Sequence, residues 1–232
     1  MILPSVHPIV LCGPISPLGN KGKVSAIDKR QKPPPWVITL TGLAGDAQAD
    51  LKTHGGPQKA LHHYAYEHYA CWIDEVGPRP VLAAPGAFGE NLSTLGWTED
   101  NTHIGDIVQF GSAFLQVSQG RQPCWKLNER FGHPDMARLV QQTGRTGWYY
   151  RVLTPGVANA GDRLELVERL RPAWPLSRLL RLLYADTLAF AELAEMAEIP
   201  ELADGWRRIA LRRLEQHSVE DWQPRLEGTT QG

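Results

Sequence analysis

The chain has 232 residues, with 24 Lys+Arg against 25 Asp+Glu and a formal net charge of −1. That balance excludes a general nucleic-acid binder, which needs a clear basic excess. Hydrophobic residues make up 42% and charged residues 21%, the composition of a folded chain with a real core.

The first residues, MILPSVHPIVLCGP, carry no basic segment ahead of their apolar positions and are broken by prolines. No signal peptide is expected. No apolar run approaches the roughly 18 residues needed to span a bilayer, so the expected location is cytoplasmic. Cys12, Cys71 and Cys124 are odd in number and widely spaced, a poor disulfide framework that fits a reducing compartment better.

Up to about residue 168, Gly and Pro punctuate short β-like runs at Trp36–Leu40, Gly105–Phe110, Ala113–Ser118, Trp148–Leu153 and Arg163–Val167. Gly111-Ser112 between two of them is a hairpin signal. Many short strands at close spacing predict a mainly β, barrel-like domain over residues 1–168, with inserted helices. One long helix is expected from Pro57 to about Val76, with Gly77-Pro78 ending it. On that helix Lys59 and His63, four apart, share a face. A shorter helix is expected at Pro134–Gln142, stopped by Gly144. From residue 169 the texture becomes helical. PLSRLLRLLYAD, TLAFAELAEMAEI and PELADGWRRIALRRLEQ predict a small all-α three-helix domain over 169–232 with a disordered end. It is too small to hold a core alone, and docking on the barrel or on a partner is expected.

Three segments carry candidate chemistry. In SQGRQPCWKLN, Cys124 follows a proline just after a predicted strand, with Arg121 and Lys126 nearby. Fixed positive charge lowers a thiol pKa and makes a better nucleophile or soft-metal ligand; a buried structural cysteine fits the local sequence equally well. In GDAQADLKTHGGPQKALHH, Gly55-Gly56-Pro57 leads into the expected helix, an arrangement suited to an anion. His54, Lys59, His62 and His63 gather there beside Asp46 and Asp50, without the spacing of a zinc motif. In AFGENLST, Asn91 follows a turn and has an amide that both donates and accepts, although turn chemistry explains the segment as well. The Arg207, Arg208, Arg212 and Arg213 spacing reads as a solvated helix face, and Trp125 and Trp148 flank the Cys124 candidate site.

Taken together and in order, GDAQADLKTHGGPQKALHHY, FGENLST, IGD, SQGRQPCWKLN and GWYYRVL resemble the MOSC domain, named for the C-terminal domain of molybdenum cofactor sulfurase. The match is nearest the bacterial 6-N-hydroxylaminopurine resistance branch, whose MOSC domain is followed by a 3-alpha domain. This resemblance implies a molybdenum cofactor held in the β domain, with Cys124 as the thiolate ligand to the metal. Lys59 and His63 fall on the family's K-A-x-x-H segment. His63 is then expected to supply a proton, and Lys59 to stabilise charge electrostatically. Arg121, Lys126, Gly55 and Gly56 are candidates for the pterin phosphate and Asn91 for the pterin edge. The implied activity is reduction of N-hydroxylated bases and related compounds, such as 6-N-hydroxylaminopurine, to the amines. The alternative is a carrier of the cofactor or of persulfide sulfur for other molybdoenzymes. No flavin, haem or iron–sulfur motif is present, so an external reductase is expected as electron donor. The other partners expected are a small-molecule substrate and a second copy of the chain in a homodimer, with neither nucleic acid nor membrane.

Overall fold

The β-forming runs pair into one large curled sheet, and two short sheets flank it. The computed structural model describes residues 3–19, 23–48 and 55–228. His54 and Asp50 lie outside the described residues, as does the end of the chain. In chain order the strands are β1 (Ile9–Cys12), β2 (Ser16–Leu18), β3 (Lys23–Ser25), β4 (Arg30–Gln31), β5 (Trp36–Thr39), β6 (Gly42–Leu43), β7 (Leu61–Ala65), β8 (Leu92–Thr94), β9 (Ile107–Phe110), β10 (Ala113–Gly120), β11 (Trp148–Thr154), β12 (Gly156–Ala158) and β13 (Leu164–Glu168). The helices are α1 (Glu67–Val76), α2 (Lys126–Phe131), α3 (Met136–Thr143), α4 (Leu176–Tyr184), α5 (Phe190–Ala197), α6 (Asp204–Gln216) and α7 (Gln223–Glu227).

The main sheet has the order β13-β9-β10-β11-β7-β8-β1-β4. Its pairs are antiparallel except β7 with β8, which makes it mixed. It curls into half a barrel rather than a closed one. Across the gap, Val6 and Leu164 form a single isolated bridge. The hairpin expected at Gly111-Ser112 joins β9 to β10, with Phe110 opposite Ala113 and Gly111 at φ 60°, a left-handed conformation that glycine adopts without penalty.

The long helix expected over Pro57–Val76 is not one element. Pro57–Lys59 is a single 3₁₀ turn, residues 61–65 are strand β7, and only Glu67–Val76 is α-helical. The physical reason is burial. All five residues of β7 are buried, between β11 on one side and β8 on the other. A strand covered on both faces shows no polar alternation, and its apolar spacing is then ambiguous with a helix. Lys59 and His63 therefore do not share a helix face. Likewise α3 begins at Met136 and ends against Gly144, whose φ of 71° caps it. The third tail helix begins at Asp204, so Pro200 stands a turn ahead of it.

Two apolar cores lie on opposite faces of the main sheet. One includes Leu61, Leu115, Val117 and Trp148 and runs without a break into Leu179, Leu180, Leu183, Leu193 and Trp206 of the tail helices. The small helical domain thus docks on the sheet and shares its core. Ala203 N–H donates to the Ser118 carbonyl of β10 at 2.9 Å, which ties α6 to the same strand. The other core packs α1, α2 and α3 over the far face, through Tyr69, Trp72, Phe88, Leu127, Phe131 and Val140. The basic face expected on α6 is not wholly solvated: Arg213 is completely buried, donating to the carbonyls of Leu182, Leu183 and Thr187 and pairing with Glu220. Those bonds satisfy carbonyls near the end of α4, where a helix leaves acceptors unpaired. No helix among the described residues is long and apolar enough to cross a membrane.

Candidate functional site

Strand alternation sorts the two adjacent histidines. Successive side chains in a strand point to opposite faces, so in β7 the rings of His62 and His63 part company. His63 pairs in register with Trp148, and His62 with Tyr149. The His63 ring lies 4.3 Å from that of Trp148, hydrogen-bonded to Tyr150 Oη at 2.9 Å and to Thr94 Oγ1 at 2.8 Å. It is fully buried in the sheet-side core, and desolvation pushes its pKa down to about 3. A ring in that position is uncharged at neutral pH, and it is not among the residues that line the cavity His62 faces. The structure thus places His63, expected from the sequence as a proton donor, in the core, and Trp148 is likewise a core residue rather than a flank of the site.

His62 points the other way, into a cavity also lined by Lys29, Lys59, Asn91, Arg121, Cys124, Lys126 and Tyr149. The cavity encloses about 580 Å³ including its open mouth. Each wall has a separate origin in the chain. Strand β10 ends at Gly120, and the loop 121–125 that follows carries Arg121 and Cys124, with Lys126 opening α2. His62 and Tyr149 come from neighbouring strands with rings 5.0 Å apart. Lys59 comes from the 3₁₀ turn. Gly55 and Gly56 are not among the lining residues described. Gly56 borders a separate shallow cleft with Asp46 and Gln48, and a three-residue 3₁₀ turn offers no helix N-terminus to an anion.

Asn91 reaches the cavity wall, but its amide is occupied within the protein. Its Oδ1 accepts the His62 backbone N–H at 3.1 Å. Its Nδ2 donates to the Leu11 carbonyl at 3.2 Å and to Asp46 Oδ2 at 2.8 Å. Asp46 in turn pairs with Lys29 and accepts the Gly13 N–H at 2.9 Å. Asn91 thus locks strands β1 and β7 and the Asp46–Lys29 pair together; binding a ligand edge is not needed to explain it. Lys29 and Tyr149 were missed by the sequence reading. Lys29 stands among residues without a motif, and Tyr149 reads only as part of a strand.

The cavity wall is rich in cationic side chains. Lys29 pairs with Asp46, and Lys59, Arg121 and Lys126 line the same cavity as the Cys124 sulfur. Arg121 is only 6% exposed, and its Nη1 is buried without a hydrogen-bond partner among the described residues. A buried guanidinium nitrogen with no acceptor costs free energy unless something supplies one. The His62 pKa is held well below its usual value, by burial first and by Arg121 second. The Tyr149 hydroxyl is pushed up by burial, against the pull of Arg121. Both side chains are neutral at pH 7, so they add no charge to the three cations.

Cys124 is buried, whereas Cys12 is half-buried and Cys71 exposed, and no disulfide links them. Burial, then Asp46, raises the Cys12 pKa, so that thiol stays protonated. Only Cys124 faces the cation-lined cavity. Among the described residues no three His, Cys, Asp or Glu side chains converge on a metal position; a metal here would take most of its ligands from a bound molecule.

Comparison with known proteins places these features. The MOSC domain model matches residues 50–165, and the YiiM-like 3-alpha helix domain model matches residues 174–217. Protein YiiM of Escherichia coli (strain K12) is 40% identical over 208 residues, covering 90% of this chain and 92% of that protein. A protein named Reductase from Gibberella moniliformis is 40% identical over 191 residues, covering 82% of this chain but 34% of its own length. The crystal structure of YiiM from Escherichia coli superposes with a TM-score of 0.83 at 34% identity, covering 97% of this chain and all of that one (100%). That of YiiM from Geobacillus stearothermophilus gives 0.76 at 33% identity, over 91% of this chain. The chain belongs to the MOSC domain family, with a YiiM-like 3-alpha helix domain following the MOSC domain.

Proposed function

We propose that the chain is an oxidoreductase that binds a molybdenum cofactor in the Cys124 cavity and reduces N-hydroxylated bases and related compounds to the amines. The observation that carries this reading is the buried Arg121 Nη1, without an acceptor among the described residues, in a cavity that it lines together with Cys124, Lys59 and Lys126. A pterin dithiolene bearing a phosphate is an anion, and its oxygens would satisfy that nitrogen. Cys124 is a soft donor suited to a metal already rich in sulfur ligands. The residues present therefore fit the group: Cys124 toward the metal, and Arg121, Lys59 and Lys126 toward the anionic part. The relative named Reductase supports the class of chemistry.

When bound, the cofactor supplies a two-electron redox centre. The overall change balances as R–NH–OH plus two electrons and two protons to R–NH₂ plus water. The electrons come from an external reductase. This chain's own residues hold the charge and the protons. Lys59 and Lys126 place ammonium groups on the cavity wall, and Lys59 takes the role in proton supply for which His63, buried in the core, is badly placed. The neutral His62 and Tyr149 rings, tilted 37° to each other at 5.0 Å, give that wall an aromatic surface on which one face of a planar base can pack. Asn91 and Asp46 keep Lys29 and β7 in place in the cavity wall.

The test is molybdenum content and reduction of 6-N-hydroxylaminopurine by a chemical reductant, for protein made in a host that assembles the cofactor. Cys124→Ser is expected to lose both, and Cys71→Ser to keep both. Retention of both by Cys124→Ser would sink the assignment. Stably bound molybdenum without turnover in the wild type would favour the carrier reading instead.

A further inference from the structure

The loop that carries Cys124 is held from outside the MOSC domain. Helix α7 follows the three tail helices and returns across the molecule to the site. Arg225 donates from Nε to the Pro123 carbonyl at 3.1 Å and from Nη2 to the Gln122 carbonyl at 3.2 Å. Those are the two peptide groups immediately ahead of Cys124. On the other side of the cysteine, the Trp125 N–H donates to the Arg225 carbonyl at 2.8 Å. One residue therefore grips the loop before and after the sulfur, by side chain and by backbone.

Its own position is fixed in turn. Leu226 is 4% exposed and packs in the far-face core with Leu127, Phe131 and Val140. Its carbonyl accepts Asn128 Nδ2 at 2.9 Å. The Trp222 ring meets Tyr184 at the end of α4 edge-on at 5.7 Å. Among the described residues, the short loop 121–125 has no strand partner beyond the bond from Arg121 N–H to the Gly147 carbonyl, so these contacts supply what a ladder would.

We propose that residues 222–228 are a strap belonging to the site, and that Arg225 is a positioning residue that fixes the Cys124 loop. A planar guanidinium suits the task because its rigid fork reaches two adjacent carbonyls from separate nitrogens, whereas an ammonium is a single point with no preset fork. The proposal rests on the reading that Cys124 is the working sulfur, but its primary test does not depend on cofactor.

The experiment measures alkylation of Cys124 by iodoacetamide in the full-length, cofactor-free protein carrying Cys12→Ser and Cys71→Ser, so that one thiol reports. Thermal unfolding and near-UV circular dichroism run alongside to follow the fold as a whole. With the two side-chain bonds to the loop lost in Arg225→Ala, local opening of the loop is expected to speed alkylation about tenfold or more, while the core signals stay native. Arg225→Lys is expected to fall between Ala and wild type. The control Arg138→Ala, which removes an exposed pair with Glu227, is expected to stay within about twofold of wild type. Wild-type alkylation rates in folded Arg225→Ala would overturn the strap. Faster alkylation that tracks global unfolding, with the near-UV signal lost in both Ala and Lys variants, would overturn it too. Faster alkylation with native core signals supports it, even if molybdenum content fails the test of the function itself.

Discussion

His62 and His63 are adjacent in β7, yet one faces Tyr149 across the cavity wall at 5.0 Å and the other faces Trp148 in the core at 4.3 Å. Both are neutral at pH 7, and for both the main cause is burial. His62 shapes the site, and His63 holds β7 to β8 and β11 through Thr94 and Tyr150.

That arrangement makes stability fall on acidification. In the unfolded chain His63 titrates near 6.5, while in the fold its pKa is about 3. Below about 6.5 the unfolded state therefore binds a proton that the folded state refuses. Stability is fully present above that pH and is lost as pH falls toward 3. The His63 contribution lost between pH 7 and pH 5 is about 2 kcal/mol, and His62 adds to it with the same sign. Urea unfolding at the two pH values checks this. His63→Gln keeps a hydrogen-bonding side chain without the titration, and its pH dependence is expected to be smaller by that amount. Equal pH dependence in the two proteins would show that His63 is not the buried neutral group.

Several parts of this architecture are legible along the chain. Gly111-Ser112 between alternating runs marks its hairpin, Gly144 marks the end of α3, and the Arg121–Lys126 segment marks one wall of the candidate cavity. The helix face shared by Lys59 and His63 is not there, because pairing with β8 and β11 overrides local periodicity in β7. Tyr149 reaches the cavity only through its register opposite His62, more than eighty residues back. Arg225 lies about a hundred residues beyond the loop it holds. Contacts of that range leave no local trace, and neither does the bond from Asn91 to Asp46.

Arg121 separates binding from stability. Its Nη1 is buried without an acceptor among the described residues, so its burial carries a desolvation cost that no described partner offsets at that nitrogen. Arg121→Met keeps much of the volume and removes the charge. The cofactor-free variant is expected to unfold at the same temperature as wild type or a higher one. An anion that binds the wild-type cavity, with pyrophosphate as the probe, raises the wild-type Tm through linkage. That rise is expected to shrink in the variant, because losing a buried charged partner weakens anion affinity by about 2–3 kcal/mol. Thermal scans with and without pyrophosphate measure both effects. A cofactor-free variant that is strongly destabilised, with its pyrophosphate response intact, would mean that Arg121 is a structural residue.

The junction between β10 and the tail helices tests whether the two matched regions share one core. A Cβ on Gly120 would lie 3.0 Å from Leu180 Cδ2 and 3.1 Å from Trp206 Cη2, both from buried side chains. The absence of a side chain at 120 thus lets α4 and α6 approach the strand. Gly120→Ala is expected to overpack the junction and cost about 1–3 kcal/mol, whereas Leu180→Ala opens a void and costs about 2–5 kcal/mol. In the double variant the new methyl group enters space that Leu180 vacates. The two losses should therefore be less than additive, with a coupling of about 1 kcal/mol. Because the core runs continuously from sheet to helices, chemical unfolding of all four proteins should show one transition. Strict additivity, or separate transitions for sheet and helices, would mean that the tail helices are only loosely laid against β10.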